Sequence, residues 1–72
     1  MNYYEFLLQE KAAGRFKIWM RMGAPSQLPT WMEIYQYHLD NPSLSQLALA
    51  HDCKVGHSTV QRALAFMNQP VT

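Results

Sequence analysis

The amino-acid sequence predicts an all-α fold, a small helical bundle. Three observations carry that expectation. Apolar residues recur at helical spacing in several stretches, most regularly at Val60, Ala63, Leu64 and Met67. Helix-start patterns stand at Thr30 and Ser43, each with a Glu or Gln three residues later. Breakers fall between the stretches, at Gly14, at Gly23-Ala24-Pro25-Ser26 and at Asn41-Pro42.

The elements follow in order. Tyr3 to Ala13 reads as a short helix with Tyr4, Leu7, Leu8 and Lys11 on one side, stopped by Gly14. Residues 15–22 fit two forms. Phe16, Ile18, Met20 and Met22 alternate with Arg15, Lys17, Trp19 and Arg21, which suits a short strand with a cationic face. The same residue types also suit a helix continuing from the first. Thr30 then caps a helix with Trp31, Ile34, Tyr35 and His38 on one face, ended by Asp40-Asn41-Pro42 because proline disfavours helix in the residue before it. Ser43 opens the next helix, with Gln46 as its return partner. Leu44, Leu47, Ala48, Leu49 and Ala50 leave that helix almost no polar side, so it should be mostly buried. The last helix starts near Gly56 or His57 and runs to about Met67. Residues 1–72 are thus expected to form a single domain. Residues 1–23 act as a support or dimerisation segment, and 30–67 form a tri-helical core.

Seventy-two residues bury a modest share of their surface, yet 49% are hydrophobic, with two Trp, four Tyr and three Phe. The composition suits a compact core rather than a disordered chain, and the apolar content is high enough that a homodimer is expected through Trp19, Met20, Met22 or the Tyr3/Phe6 cluster. The formal net charge is only +1. A single cysteine, Cys53, rules out an intrachain disulfide and a four-cysteine zinc site, and a reducing, cytoplasmic setting fits best. No signal peptide or membrane-spanning run is visible. Cys53, His51 and His57 are read as turn and surface residues rather than as a metal site, and His38 as a core or edge residue. There is no paired acid set, no Gly-rich phosphate loop and no nucleophile beside a base. No enzyme, no cofactor and no small-molecule ligand is implied.

Ser45 to Leu64, SQLALAHDCKVGHSTVQRAL, stands apart as one unit. It closes one helix with Leu49-Ala50, places apolar Cys53 three residues on, turns at Lys54-Val55, and opens a second helix with Gly56-His57-Ser58-Thr59-Val60-Gln61-Arg62-Ala63-Leu64. This resembles the helix-turn-helix of bacterial, phage and plasmid transcriptional regulators over under a third of the chain. Two positions depart from the family pattern: Lys54 stands where Gly is usual, and Gly56 where a capping Ser or Thr is usual. The resemblance implies sequence-specific binding of double-stranded DNA. A recognition helix at about 56–67 would enter the major groove, in a transcriptional regulator, a repressor among them, or a plasmid or phage control protein. It implies DNA contacts from Ser45, Gln46, Lys54, Gly56, His57, Ser58, Thr59, Gln61 and Arg62. Gln61 can pair with adenine, and Arg62 with guanine or a phosphate. The helix end at Ser45 and Gln46 meets phosphate through backbone N–H groups. Arg15, Lys17 and Arg21 are further candidates for phosphate contact.

Three other readings compete. A protein-interaction module on the same fold, without DNA binding, suits the low net charge. A strand at 15–22 pairing with its twin would suit a ribbon-helix-helix-like dimer, although that family has two helices after the strand and this chain offers three. Finally, Ser58 and Gln61 form an alternative capping box. It would start the last helix later and leave residues 54–57 as a longer loop with Val55 exposed.

Overall fold

Val60, Ala63, Leu64 and Met67 fall on one side of a helix, and that side faces inward: all four are buried. The other apolar stripes follow suit. In the computed structural model, which describes residues 1–71, the chain forms five helices: α1 (Tyr3–Ala12), α2 (Phe16–Arg21), α3 (Leu28–Asp40), α4 (Gln46–Cys53) and α5 (His57–Met67). No strand occurs among the described residues. The one extended pairing is an isolated antiparallel bridge between Asn2 and Pro70.

The core is shared by four helices. Tyr4 and Leu7 enter from α1, Leu28, Trp31, Met32, Ile34 and Tyr35 from α3, Leu49 and Ala50 from α4, and the four α5 residues from beneath. The widest contact is between α3 and α5, followed by α4 against α5. Ile34, Leu49, Val60 and Met67 are wholly enclosed. Burying each such side chain is worth about 1.5–3 kcal/mol. Ala50 and Ala63 let the helices approach closely.

Residues 16–21 are helical, so of the two forms open to residues 15–22 the strand is overturned. A lone strand finds no ladder partner in this chain, whereas a helix satisfies its own backbone. Ile18 and Trp19 N–H donate to the Arg15 carbonyl, and Met22 N–H to that of Ile18. The i, i+4 pair Phe16 and Met20 packs against the core, although no α2 residue is fully buried. Gly14, at φ +79, makes the turn from α1 into α2 without the clash a Cβ brings there.

Two helix starts also move. α3 begins at Leu28, not after Thr30. Leu28 is buried, and Pro29 in the first helical turn loses nothing by lacking an N–H. α4 begins at Gln46, with Ser45 rather than Ser43 as its cap: the Ser45 hydroxyl accepts from Ala48 N–H at 3.2 Å. Residues 42–44 are a turn, and Leu44 packs against the core from it. α4 is also less buried than its composition suggests, because Leu47 is 67% exposed. A capping box absent from the expectations opens α1, where Asn2 Oδ1 accepts from Glu5 N–H at 2.9 Å and Glu5 reaches back to Asn2 N–H.

The two ends of the chain are stapled together. Tyr3 N–H donates to the Gln69 carbonyl and Val71 N–H to that of Met1. The Tyr35 hydroxyl accepts from Asn2 Nδ2 and donates to Asn68 Oδ1 at 2.6 Å, joining both ends to α3. Tyr4 O–H donates to Gln36 Oε1, and Tyr37 O–H to Asp52 Oδ2 at 2.9 Å, so that α3 is tied to α1 and to α4.

Candidate nucleic-acid interface

Everything about the candidate interface depends on how α4 hands over to α5. Lys54 ends α4 in the left-handed conformation, φ 58 and ψ 43, the one non-glycine residue with positive φ among the described residues. Its N–H donates to the His51 carbonyl, and Val55 N–H reaches back five residues to the Ala50 carbonyl at 3.0 Å. These two bonds make a Schellman closure. Lysine carries a Cβ there, at a cost of about 1 kcal/mol relative to an ordinary conformation.

Gly56 then caps α5 in extended conformation, without a side-chain bond. α5 therefore starts at His57, and the later start from a Ser58 cap is set aside. Val55 lies half-buried against the core between the two helices. Only three residues separate α4 from α5.

With α5 anchored along Val60, Ala63, Leu64 and Met67, its opposite side carries Ser58, Gln61 and Arg62, all exposed, with exposed His57 at the start. Thr59 is half-buried beside Val60. Lys54 and Gly56 are exposed in the turn, and Ser45 and Gln46 at the start of α4. Neither Lys54 nor Arg62 has an acidic partner within salt-bridge distance among the described residues. Because Gly56 brings no capping side chain, the first backbone N–H groups of α5 lack one of their usual partners. At α4 the Ser45 hydroxyl takes the Ala48 N–H, leaving Gln46 and Leu47 N–H at the exposed end.

No protein-family model matches the chain, and no curated protein or solved structure matches it. The site stands on its own geometry.

The second group of candidates divides. Arg15 is held by Glu10, a glutamate only 7% exposed on α1. Arg15 Nε donates to Glu10 Oε2 at 2.7 Å, a guanidinium nitrogen lies 2.5 Å from the same oxygen, and Trp19 Nε1 donates to Oε1 at 2.8 Å. The Arg15 hydrogen bond and then that of Trp19 hold the Glu10 carboxyl below the usual glutamate range. Lys17 and Arg21 are exposed on the outer side of α2.

Of the apolar residues expected at a dimer contact, all but the exposed Met22 have partners within the chain. Tyr3 stacks on Phe66 with centroids 5.2 Å apart, Phe6 meets Trp19 edge to face at 5.6 Å, and Met20 packs on the core. Cys53 is half-buried against the core. Burial first, then the charges of Asp52 and Glu33, push its thiol up, so it stays protonated. His38 lies half-buried beside Tyr35. Among the described residues, no three His, Cys, Asp or Glu gather as a metal set, and no helix is long and apolar enough to cross a membrane.

Glu10 went unrecognised in the sequence. The signal available was a lone acid on an otherwise apolar helix side, followed by Arg and Trp beyond a glycine turn.

Proposed function

We propose that the chain is a helix-turn-helix reader of double-stranded DNA, with α5 as the recognition helix and a transcriptional regulator or plasmid or phage control protein as its setting. The observation that carries this reading is the left-handed Lys54 closing α4, at the position where the resembling regulators place glycine. It leaves α5 buried along one side and polar along the other. The major groove just admits a helix, and side chains from its N-terminal half reach base edges there. Gln61 offers an amide matched to adenine. Arg62, free of any acidic partner among the described residues, offers a guanidinium matched to guanine. His57, Ser58 and Lys54 flank them for phosphate, with Gly56 and Thr59 close to the backbone, and the α4 start at Ser45 and Gln46 supplies N–H groups. Two copies on paired half-sites would double the few cations each brings. No catalytic role or cofactor is part of the reading.

Selecting bound sequences from a random duplex pool tests it. An enriched motif is expected, symmetric if two copies bind. Arg62→Ala should cost about 1–3 kcal/mol in affinity and relax preference at one base pair. An unchanged motif in that variant would remove Arg62 from base reading.

The net charge of +1 favours a second reading, a protein-interaction module on the same fold. Salt separates the two. DNA affinity should fall with a log–log slope of about −0.9 per neutralised phosphate, and an interaction module would show no such slope.

A further inference from the structure

Between α1, α2 and the end of α5 lies an apolar groove with a volume of about 320 Å³, walled by Tyr3, Phe6, Trp19, Met22, Leu28 and Phe66. One of its walls is α2, and α2 is two-sided. Trp19 and Met22 line the groove, with Ile18 beside them on the ridge. Lys17 and Arg21 occupy the far flank, about a helix width away. Ile18 is 53% and Met22 74% exposed, large apolar side chains left in water. Lys11 to Arg21 holds four of the chain's six Lys and Arg residues and no acid. Glu10 takes up Arg15, which leaves Lys11, Lys17 and Arg21 exposed and without an acidic partner among the described residues.

We propose that this groove and the α2 ridge dock an acidic, apolar-anchored peptide segment of a partner protein. One or two large apolar side chains of the segment fill the groove between Phe6, Trp19, Met22 and Phe66. Its carboxylates, crossing α2, meet Lys17 and Arg21. Charge complementarity selects this occupant. A second copy seated through the same face offers Lys17 and Arg21 no carboxylate from its own α2, since Lys11 to Arg21 holds none. A phosphate backbone satisfies the cations but leaves Ile18, Met22 and the groove unfilled. A lipid surface takes up protruding apolar side chains, whereas here much of the apolar surface is concave. The groove lies at the lower end of the range for ligand pockets, about 300–1,000 Å³, a size suited to anchor side chains. Neither Gln61 nor Arg62 lines the groove, although its Phe66 wall stands one helical turn beyond Arg62 on α5.

The test is selection from a displayed library of random peptides against the intact chain, followed by binding titrations of the enriched peptides. The selected peptides should combine aspartate or glutamate with a large aromatic or aliphatic residue. Met22→Glu and the double variant Lys17→Glu/Arg21→Glu should each weaken them about tenfold or more. These positions are exposed, and circular dichroism should show both variants folded. Arg62→Ala should leave peptide binding unchanged even if it abolishes DNA binding, which keeps the two readings separable. Four results overturn the proposal: no enrichment; peptides that bind both α2 variants as well as the parent; duplex DNA that displaces the peptide from the parent and from Arg62→Ala alike; or sedimentation showing a dimer that Met22→Glu dissolves.

Discussion

α3, α4 and α5 hold one another by enclosed aliphatic and aromatic side chains. α1 and α2 hold one another by a carboxylate and a single aromatic edge. In the first region Ile34, Leu49, Val60 and Met67 are enclosed, and the polar link from Tyr37 to Asp52 sits at the edge. In the second, α2 has no buried residue, and its attachment to α1 runs mainly through Glu10, which accepts from Arg15 and Trp19, with Phe6 edge-on to Trp19 beside it. The difference follows from length. α2 has six residues, too few to bury a full apolar face, so directional bonds replace area. A helix held by area tolerates changes of pH and loses stability when side chains are cut back. A helix held by a charge does the reverse.

The largest expected effect is on the area side. Leu49→Ala should cost about 2–5 kcal/mol, through lost burial and the cavity left behind, and in a chain this small it should abolish most of the cooperative thermal transition. The matching truncation on α2, Ile18→Ala, should change stability by no more than about 0.5 kcal/mol. Equal losses at the two positions would break the distinction. Val55→Ala comes next. Half-buried between α4 and α5, Val55 should cost about 1 kcal/mol, again by thermal melt. Lys54→Gly should be smaller, neutral or slightly stabilising. Removing the left-handed penalty of about 1 kcal/mol is offset by a more flexible unfolded chain, worth about 0.5–1 kcal/mol. A clear loss on Lys54→Gly would mean that lysine contributes something beyond its backbone angle.

The smallest effect is one of pH. The Glu10 carboxyl is lowered in the folded chain. Its contribution is therefore present above the unfolded glutamate value of about 4.3 and is lost as pH falls through the folded value. Trp19 fluorescence should report loosening of α2 in acid before the far-ultraviolet signal falls, and Glu10→Gln should flatten that acid limb. The Tyr37 hydroxyl is raised, first by its bond to Asp52 and then by burial. Its contribution is fully present below the unfolded value of about 10 and fades as pH rises through the folded one. Acid should thus release the α1–α2 side and alkali the α3–α4 edge. A single pH response shared by both regions would erase the contrast.

The same division explains what could be read from the residues alone. α5 was legible because apolar periodicity reports area burial, and its start at Gly56–His57 followed from the turn. Left-handed Lys54 was legible because glycine-like positions have a backbone reason. The starts of α3 and α4 were not, because Thr30 and Ser43 each carry a good local cap. Burial of Leu28 draws α3 back past the first, and Leu44, packing from a turn, hands α4 to Ser45. The helix at 16–21 and its tie to Glu10 were hidden for another reason. The partners lie five and nine residues beyond the glutamate, and only the turn at Gly14 brings them back. At the candidate interface, the exposed set on α5 was legible as a face. The removal of Arg15 from the free cations was not, because it depends on that same fold-back.

The staple between Met1–Tyr3 and Gln69–Val71 bears on the order in which the chain folds. Contacts among α3, α4 and α5 close short loops, and such loops close early. Seating α1 against the end of α5 closes a loop of nearly the whole chain, and each doubling of loop length adds about 0.6 kcal/mol to the cost of closure. On a ribosome α1 is made before the residues that bridge to Asn2 and Tyr3. α1 is accordingly made well before it can be placed, and in native-state hydrogen exchange its amides should open well before those of α5.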